Sequence, residues 1–374
     1  MTIDVVIVNY RSAADTLGSV AQLGAWQHGT VWVIDNSEDP SEADHLKRAL
    51  QQHDWVRFLV APRNLGFGQA CNLAFAQSVS PYFLLLNPDA RIATDQIDRL
   101  RQTLEAMPDC AAIAPNMRWN AAGSFLIPLG SPQSPWETVR DRLLTHSFGA
   151  ASALARWAVQ DNRRRLDEQS PTAEVAMVSG AVLLLRRSAV LGAGGLFDPD
   201  YFMFFEDADL SRRLRQTGWK LAVLPSAMAT HEYRHGAHKA ALMQASQRVF
   251  LLKHHARTVR WSRDMAWVER LGRPGWPAQW FDLDEPMIES AAAFQARYPG
   301  WQVAAFSPSW LMRPAIFRPA GRDLTPLDDA EWRQLEPGHY TALLSADAKR
   351  LVNARWVHFC KAAPSERPAS ERPH

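Results

Sequence analysis

The sequence predicts an α/β fold, a mostly parallel sheet with helices on both faces. Three observations carry that expectation. Short β-branched or apolar runs recur along the first part of the 374-residue chain. Helix-length stretches separate them, a pitch that suits strand–helix–strand units. Polar residues stand at or just past the ends of the runs, where ligands meet such sheets.

The elements follow in order. Ile3 to Val8 reads as a buried strand, with Asn9 just beyond it. Val31 to Ile34 is the second, ending at Asp35-Asn36-Ser37. Val56 to Val60 is the third, with Asn64 beyond it. Tyr82 to Leu86 is the fourth, and it runs into Asn87-Pro88-Asp89. Helices are expected near 13–23, 41–52, 67–78 and 94–106. Residues 130–172 look less regular. Strand character returns from Val175 to Arg186, interrupted at Ser179-Gly180. A helix from Asp207 to Gln216 is stopped near Gly218. Leu221 to Leu224 reads as a short strand ended by Pro225, and 240–259 as a helix. From about 262 the composition turns to Trp, Pro and Arg with weak periodicity.

The expected organisation is therefore a domain over 1–261, an appendage over 262–362 and a disordered tail over 363–374, where Ser-Glu-Arg-Pro occurs twice. The net charge of +2 gives no electrostatic case for nucleic acid. Cys71, Cys110 and Cys360 form no CxxC, so neither a disulfide framework nor a zinc site is expected. The start Met1-Thr2-Ile3-Asp4 lacks the basic run of a secretion signal. No apolar run approaches the roughly 20 residues of a spanning helix. A cytosolic, reducing location is expected, free or at the inner membrane face. Eight of the 15 tryptophans fall between Trp261 and Trp356. They suit packing of a loop-rich region or, as amphipathic rings, an acceptor surface.

Five places could carry chemistry. Asn64-Leu65-Gly66-Phe67-Gly68 resembles a dinucleotide glycine loop, but the third glycine and an acid for the ribose are missing. Hydride chemistry is disfavoured. Two glycines before a helix still admit a nucleotide to backbone amides, and a tight turn is the plainer use. Asp35 can accept bonds from a base N–H or a ribose hydroxyl, or can cap a turn. Asp89 suits a hard cation that neutralises a departing diphosphate, or an ordinary turn. Glu206-Asp207 can supply the base that takes an acceptor proton. Offsetting the helix dipole explains one acid there more easily than three, and Asp209 is expected to be the structural one. His231 can complete a metal shell, contact phosphate or simply pack.

Together these segments resemble the family 2 glycosyltransferases of GT-A fold, in particular the bacterial rhamnosyltransferase-like branch that builds surface polysaccharides. The resemblance runs through V-V-I-V-N-Y at Val5–Tyr10, V-I-D-N-S at Val33–Ser37 and N-L-G-F-G-x-A-x-N at Asn64–Asn72. It continues through L-L-L-N-P-D at Leu84–Asp89, Ser179–Arg187, Gly194–Asp209 and His231, and covers about 1–255. It implies an inverting transfer of a sugar from a nucleotide-diphosphate donor to a glycan or lipid-linked acceptor. It implies Asp35 on the base or ribose, with Asn9, Asn64, Gly66, Asn72 and Asn87 shaping the nucleotide pocket. It implies Mg²⁺ or Mn²⁺ on Asp89, with His231 close by. Asp207 would be the general base and Glu206 would position the acceptor or donor sugar. Asn87 stands where the family's metal motif usually has its first acid. A dTDP- or UDP-sugar is the expected donor, and dTDP-L-rhamnose is frequent in this branch.

Two further readings stand beside this one. A non-catalytic nucleotide-sugar-binding subunit of an assembly complex is opposed by the retention of Asp89, Glu206, Asp207 and His231. A nucleotidyltransferase would want a basic glycine-rich loop near the start, and Asn9-Tyr10-Arg11-Ser12 is not one. Val249 to Arg263 reads as a packed helix or as a peripheral membrane contact. The region after 262 is expected to select the acceptor or to make a homodimer contact.

Overall fold

The computed structural model describes residues 1–119, 124–144, 147–232, 237–255, 285–307, 315–319, 327–346, 351 and 353–362. The chain forms two compact units. One comprises Met1–Gly123, Leu129–Glu137 and Arg165–Ala266; the other comprises Ser124–Pro128, Thr138–Arg164 and Trp267–His374. The second unit thus takes two segments from within the expected 1–261 domain. The boundary expected at 262 is not a single cut in the chain, because tertiary contacts recruit residues distant in sequence. The tail 363–374 lies outside the described residues.

The first unit begins with β1 (Ile3–Asn9), α1 (Ala13–Leu23), β2 (Val31–Asp35), α2 (Pro40–Leu50), β3 (Val56–Val60), α3 (Gly66–Gln77) and β4 (Tyr82–Leu86). It continues with β5 (Ala90–Arg91), α4 (Thr94–Ala106) and β6 (Cys110–Trp119). In the second unit β7 (Phe125–Leu126) follows, and α5 (Pro135–Leu144) and α6 (Phe148–Arg165) come next in the chain. Then come β8 (Ala173–Val175), β9 (Val182–Arg186), α7 (Arg187–Gly192), α8 (Glu206–Gln216), β10 (Lys220–His231) and α9 (Ala237–His255).

The sheet of the first unit runs β3-β2-β1-β4-β9-β6-β10, with β5 and β8 also paired to β10. The stretch β3-β2-β1-β4 is parallel. β9 enters antiparallel to both β4 and β6, so the sheet is more mixed than the sequence suggests. Ile3, Val5, Ile7, Val31, Val33 and Leu84 lie in the core of this unit. That burial is why these strands are apolar on both faces.

Three elements depart from expectation. β10 does not stop at Pro225 but continues to His231. A register shift against β6 between Leu224 and Met228 absorbs the proline, and Gln96 Oε1 accepts the Met228 amide at 3.1 Å. The stretch called irregular holds α6, an 18-residue helix. Five alanines between Ala150 and Ala158 favour it by propensity without an apolar stripe that pattern reading would catch. The region after 262 contains regular structure that its weak periodicity hid.

That structure is β11 (Met287–Ile288), α10 (Ala291–Arg297), β12 (Gln302–Ser307), β13 (Ile316–Phe317), α11 (Asp329–Gln334), β14 (Gly338–Ser345) and β15 (Arg355–Lys361). In the second unit the strand order is β11-β15-β14-β12-β13-β7. Its core is aromatic: Trp332 stacks on Phe359 at 5.7 Å, and Phe294 meets Phe359 edge-on at 5.2 Å. Trp356 donates to Ser152 Oγ at 3.1 Å, and Arg355 lies over Trp301 at 4.3 Å. The described tryptophans of the last third therefore pack. The other five lie outside the described residues. Among the described residues no helix is long and apolar enough to cross a membrane.

Candidate active site

The carboxyl ends of β1 and β2 are in register, Asn9 opposite Asp35. Asn9 Nδ2 donates to Asp35 Oδ1 and to Glu42 Oε1, both at 2.8 Å. Asn9 Oδ1 accepts from Thr16 Oγ1 at 3.0 Å and from the Ser12 amide at 3.3 Å. The Asn9 side chain therefore ties the strand end to α1 and α2. Asp35 is buried and also accepts from Ser37 Oγ at 3.1 Å.

The glycine loop is fixed by Asn36, which its local pattern does not single out. Asn36 Nδ2 donates to Asn64 Oδ1 at 2.9 Å, and Asn36 Oδ1 accepts the Leu65 amide at 2.8 Å. Asn64 Oδ1 also accepts the Gly66 amide at 3.0 Å. The available signal was position: an amide beside Asp35, at a strand end, one step from the next loop. Gly66 has φ 75°, and a Cβ there would lie 1.9 Å from Phe202 O. Only glycine lets the loop run this close to the 197–205 segment. Arg63, Asn64, Gln69, Pro199, Asp200 and Phe202 are among the residues lining a cleft of ≈ 570 Å³ at this place.

Asn72 follows on α3. Its Nδ2 donates to Phe197 O at 2.8 Å and its Oδ1 accepts the Phe197 amide at 3.0 Å. It holds the wall of the site, with its amide committed to backbone. Arg213 grips the same segment through Ala193 O, Gly195 O and Leu196 O at 2.6–2.9 Å. Asp209, fully buried, anchors Arg213 at 2.7 Å and meets His254 at 2.6 Å. Lys253 pairs with Asp198. This is the structural role expected of Asp209. Phe250 is buried with Tyr201 and Ala208, so 249–255 is a packed helix; 256–263 lies outside the described residues.

Beyond β4, Asn87, Pro88 and Asp89 form a tight turn closed by the Ala90 amide on Asn87 O. Ser19 Oγ and Arg91 Nη1 hold Pro88 O at 2.9 and 2.6 Å. β10 pairs with β5 so that His231 stands opposite Ala90. His231 Nε2 comes to 3.2 Å from Asp89 Oδ1, joining two points far apart in sequence. Asn87 Oδ1 is buried without a hydrogen-bond partner. Among the described residues no three His, Cys, Asp or Glu side chains form a metal cage. The donor set of Asp89 and His231 fits a hard cation that takes its other ligands from phosphate and water.

Glu206 and Asp207 open α8 after two consecutive left-handed residues, Phe204 at φ 70° and Phe205 at φ 66°. Each such residue costs about 1–2 kcal/mol. Packing holds them: Phe205 meets Phe250 at 5.6 Å, and Ser246 Oγ donates to Met203 O at 2.7 Å. Asp207 Oδ2 accepts the Gly180 amide at 3.1 Å, and its Oδ1 accepts the Ala208 amide at 2.8 Å. Glu206 is buried, and its Oε2 has no partner. Burial, and then the charge of Asp207, pushes the Glu206 carboxyl up to about 8. Burial also raises Asp207, against the amides of Gly180, Ala208 and Asp207 itself, which favour its anion. A carboxyl pair raised in this way can take up a proton near neutral pH.

The family model described as "Glycosyltransferase like family 2" matches residues 1–259. The chain belongs to that family, the family 2 glycosyltransferases. It is 30% identical over 239 residues to N-acetylglucosaminyl-diphospho-decaprenol L-rhamnosyltransferase of Mycobacterium tuberculosis, covering 59% of this chain and 74% of that protein. It is also similar to the mannosyltransferase PcManGT of Pyrobaculum calidifontis in complex with GDP-Man and Mn²⁺, at 15% identity and TM-score 0.45. That match covers 69% of this chain and 64% of the other. TarS of S. aureus in complex with UDP-GlcNAc matches at 14% identity and TM-score 0.44, over 64% of this chain and 61% of the other. The chain spans less than two thirds of each of these solved chains.

Proposed function

We propose that this protein transfers a deoxyhexose, such as L-rhamnose from dTDP-L-rhamnose, to a glycan or lipid-linked acceptor in surface polysaccharide biosynthesis. The support for that donor and acceptor is the relative from M. tuberculosis, whose name gives a rhamnosyl transfer onto a diphospho-decaprenol-linked sugar. The observation that carries the reaction is the Glu206-Asp207 pair, held at a strained helix start beside the cleft-forming 197–205 segment.

The transfer inverts the anomeric carbon. Asp207 takes the acceptor hydroxyl proton as the new glycosidic bond forms on one face. The bond to the diphosphate breaks on the other face, and its electron pair leaves with the nucleoside diphosphate. Asp35 receives the base or ribose, and the Asn36–Asn64–Gly66 lock shapes the loop over it. Asn9 and Asn72 act by fixing the strand end and the wall. Asp89 and His231, with Asn87 beside them, would hold Mg²⁺ or Mn²⁺. When bound, that ion supplies positive charge against the diphosphate. Glu206 is a positioning residue beside the base. The reaction is expected on the cytoplasmic side, where a lipid-linked acceptor would bring the protein to the membrane face.

A thermal-shift panel of nucleoside diphosphates and nucleotide sugars, with and without Mn²⁺, tests this reading on wild type and Asp89→Ala. Saturation at about a hundred times Kd stabilises the folded state by about 2.7 kcal/mol. A metal-dependent shift with dTDP compounds that is lost in the variant supports the proposal. No shift with any dTDP or UDP compound contradicts it.

A further inference from the structure

The two carboxyls at the start of α8 are solvated unequally. Each Asp207 oxygen accepts a backbone amide, one from Gly180 and one from Ala208. Glu206 has a buried oxygen with no partner. It packs over α3, where a Cβ on Gly68 would stand 3.6 Å from the Glu206 Cβ. Cys71 of the same helix is buried, and the charge of Glu206 adds to burial in pushing its thiol up. Cys71 and Asp207 are the titratable groups that face Glu206. No Lys, Arg or His among the described residues pairs with either carboxyl. Two adjacent carboxyls so little solvated cannot both ionise cheaply, and the one with fewer donors keeps the proton: Glu206 is eased by its own backbone amide alone, Asp207 by three.

We propose that Glu206 is the neutral partner of Asp207: it keeps a proton through turnover, so that Asp207 carries the single charge of the pair and alone takes the acceptor proton. The inference rests on the transfer reading for the role of Asp207, but not for the place of the proton. No atom of Glu206 enters the reaction. Its proton stays on the carboxyl while the acceptor proton passes to Asp207 and the electron pair of the broken bond leaves with the diphosphate. Ionising Glu206 would place a second charge beside the base and favour protonation of Asp207 before the acceptor arrives.

The test is infrared titration of the full chain, following the carbonyl band of protonated carboxylic acids. The expected result is a band present in wild type at neutral pH, absent in Glu206→Gln, and lost as pH rises through about 8. Asp207→Asn removes the neighbouring charge, so the same band should persist but titrate at lower pH. With sugar nucleotide and acceptor, wild-type kcat/KM should fall along the same alkaline limb, and the residual rate of Glu206→Gln should be flat there. Absence of the band in wild type at neutral pH, or its survival in Glu206→Gln, overturns the proposal. So does an alkaline limb that Glu206→Gln retains. An intact titration without nucleoside diphosphate release from any sugar nucleotide supports the proton's place on Glu206 and overturns the transfer reading alone.

Discussion

Replacing Glu206 with glutamine should stabilise the protein, and by an amount that grows with pH. The native carboxyl titrates at about 8 against an ordinary 4.5. Between those values the folded state holds a proton that the unfolded state has released. Stability therefore falls as pH rises through this window, by about 1.4 kcal/mol per pH unit. The whole descent is on the order of 5 kcal/mol, and the part complete at pH 7 is on the order of 3 kcal/mol. Glutamine matches the neutral acid in size and has nothing to lose. In a domain of about 150–250 residues, 1 kcal/mol moves Tm by about 2–4 °C. Glu206→Gln should thus melt roughly 6–12 °C above wild type at pH 7, with a larger gap at pH 8 and almost none near pH 4.5. Thermal denaturation of both proteins across this range reads the gap directly. A gap of constant size, or a variant less stable than wild type at pH 8, would refute the reasoning.

Other perturbations follow from the same geometry. Gly66→Ala places a Cβ 1.9 Å from Phe202 O in a backbone with φ 75°, and should cost about 2 kcal/mol or more in denaturant unfolding. Donor-induced thermal shifts should fall with it. Asn36→Ala leaves the Leu65 amide unpaired and frees Asn64, a loss of about 1–3 kcal/mol that should also weaken donor binding in calorimetry. Asp209→Ala strands Arg213 and the half-buried His254, and should destabilise by about 3–5 kcal/mol in urea without a change in the alkaline limb of activity.

Much of the first unit was legible because its strands are buried on both faces and its turns are polar. The runs at Ile3, Val31, Val56 and Tyr82 became β1 to β4 with shifts of a residue or less. The meeting of Asp89 with His231 was legible only as two strand ends; the contact depends on β10 crossing Pro225 through a register shift. Local pattern stops a strand at proline, and only tertiary pairing carries it onward. Asn72 illustrates a second limit. Its residue type and place beside the glycine loop suggest a nucleotide contact, yet its amide is satisfied by Phe197, distant in sequence. Asn36 had the converse fate, since nothing local distinguishes a loop lock from turn chemistry. In the second unit, α6 is built on alanine propensity and its core on scattered aromatics. Neither leaves a period to read.

Sugar transfer with Asp207 as the base is tested most directly by product formation from dTDP-L-rhamnose and a lipid-linked saccharide diphosphate, in wild type and Asp207→Asn, with donor affinity measured in both. Wild type should form a glycosylated product and release dTDP. The variant should lose about 10²–10⁴-fold in rate at unchanged donor affinity. Turnover by Asp207→Asn at the wild-type rate would contradict that role.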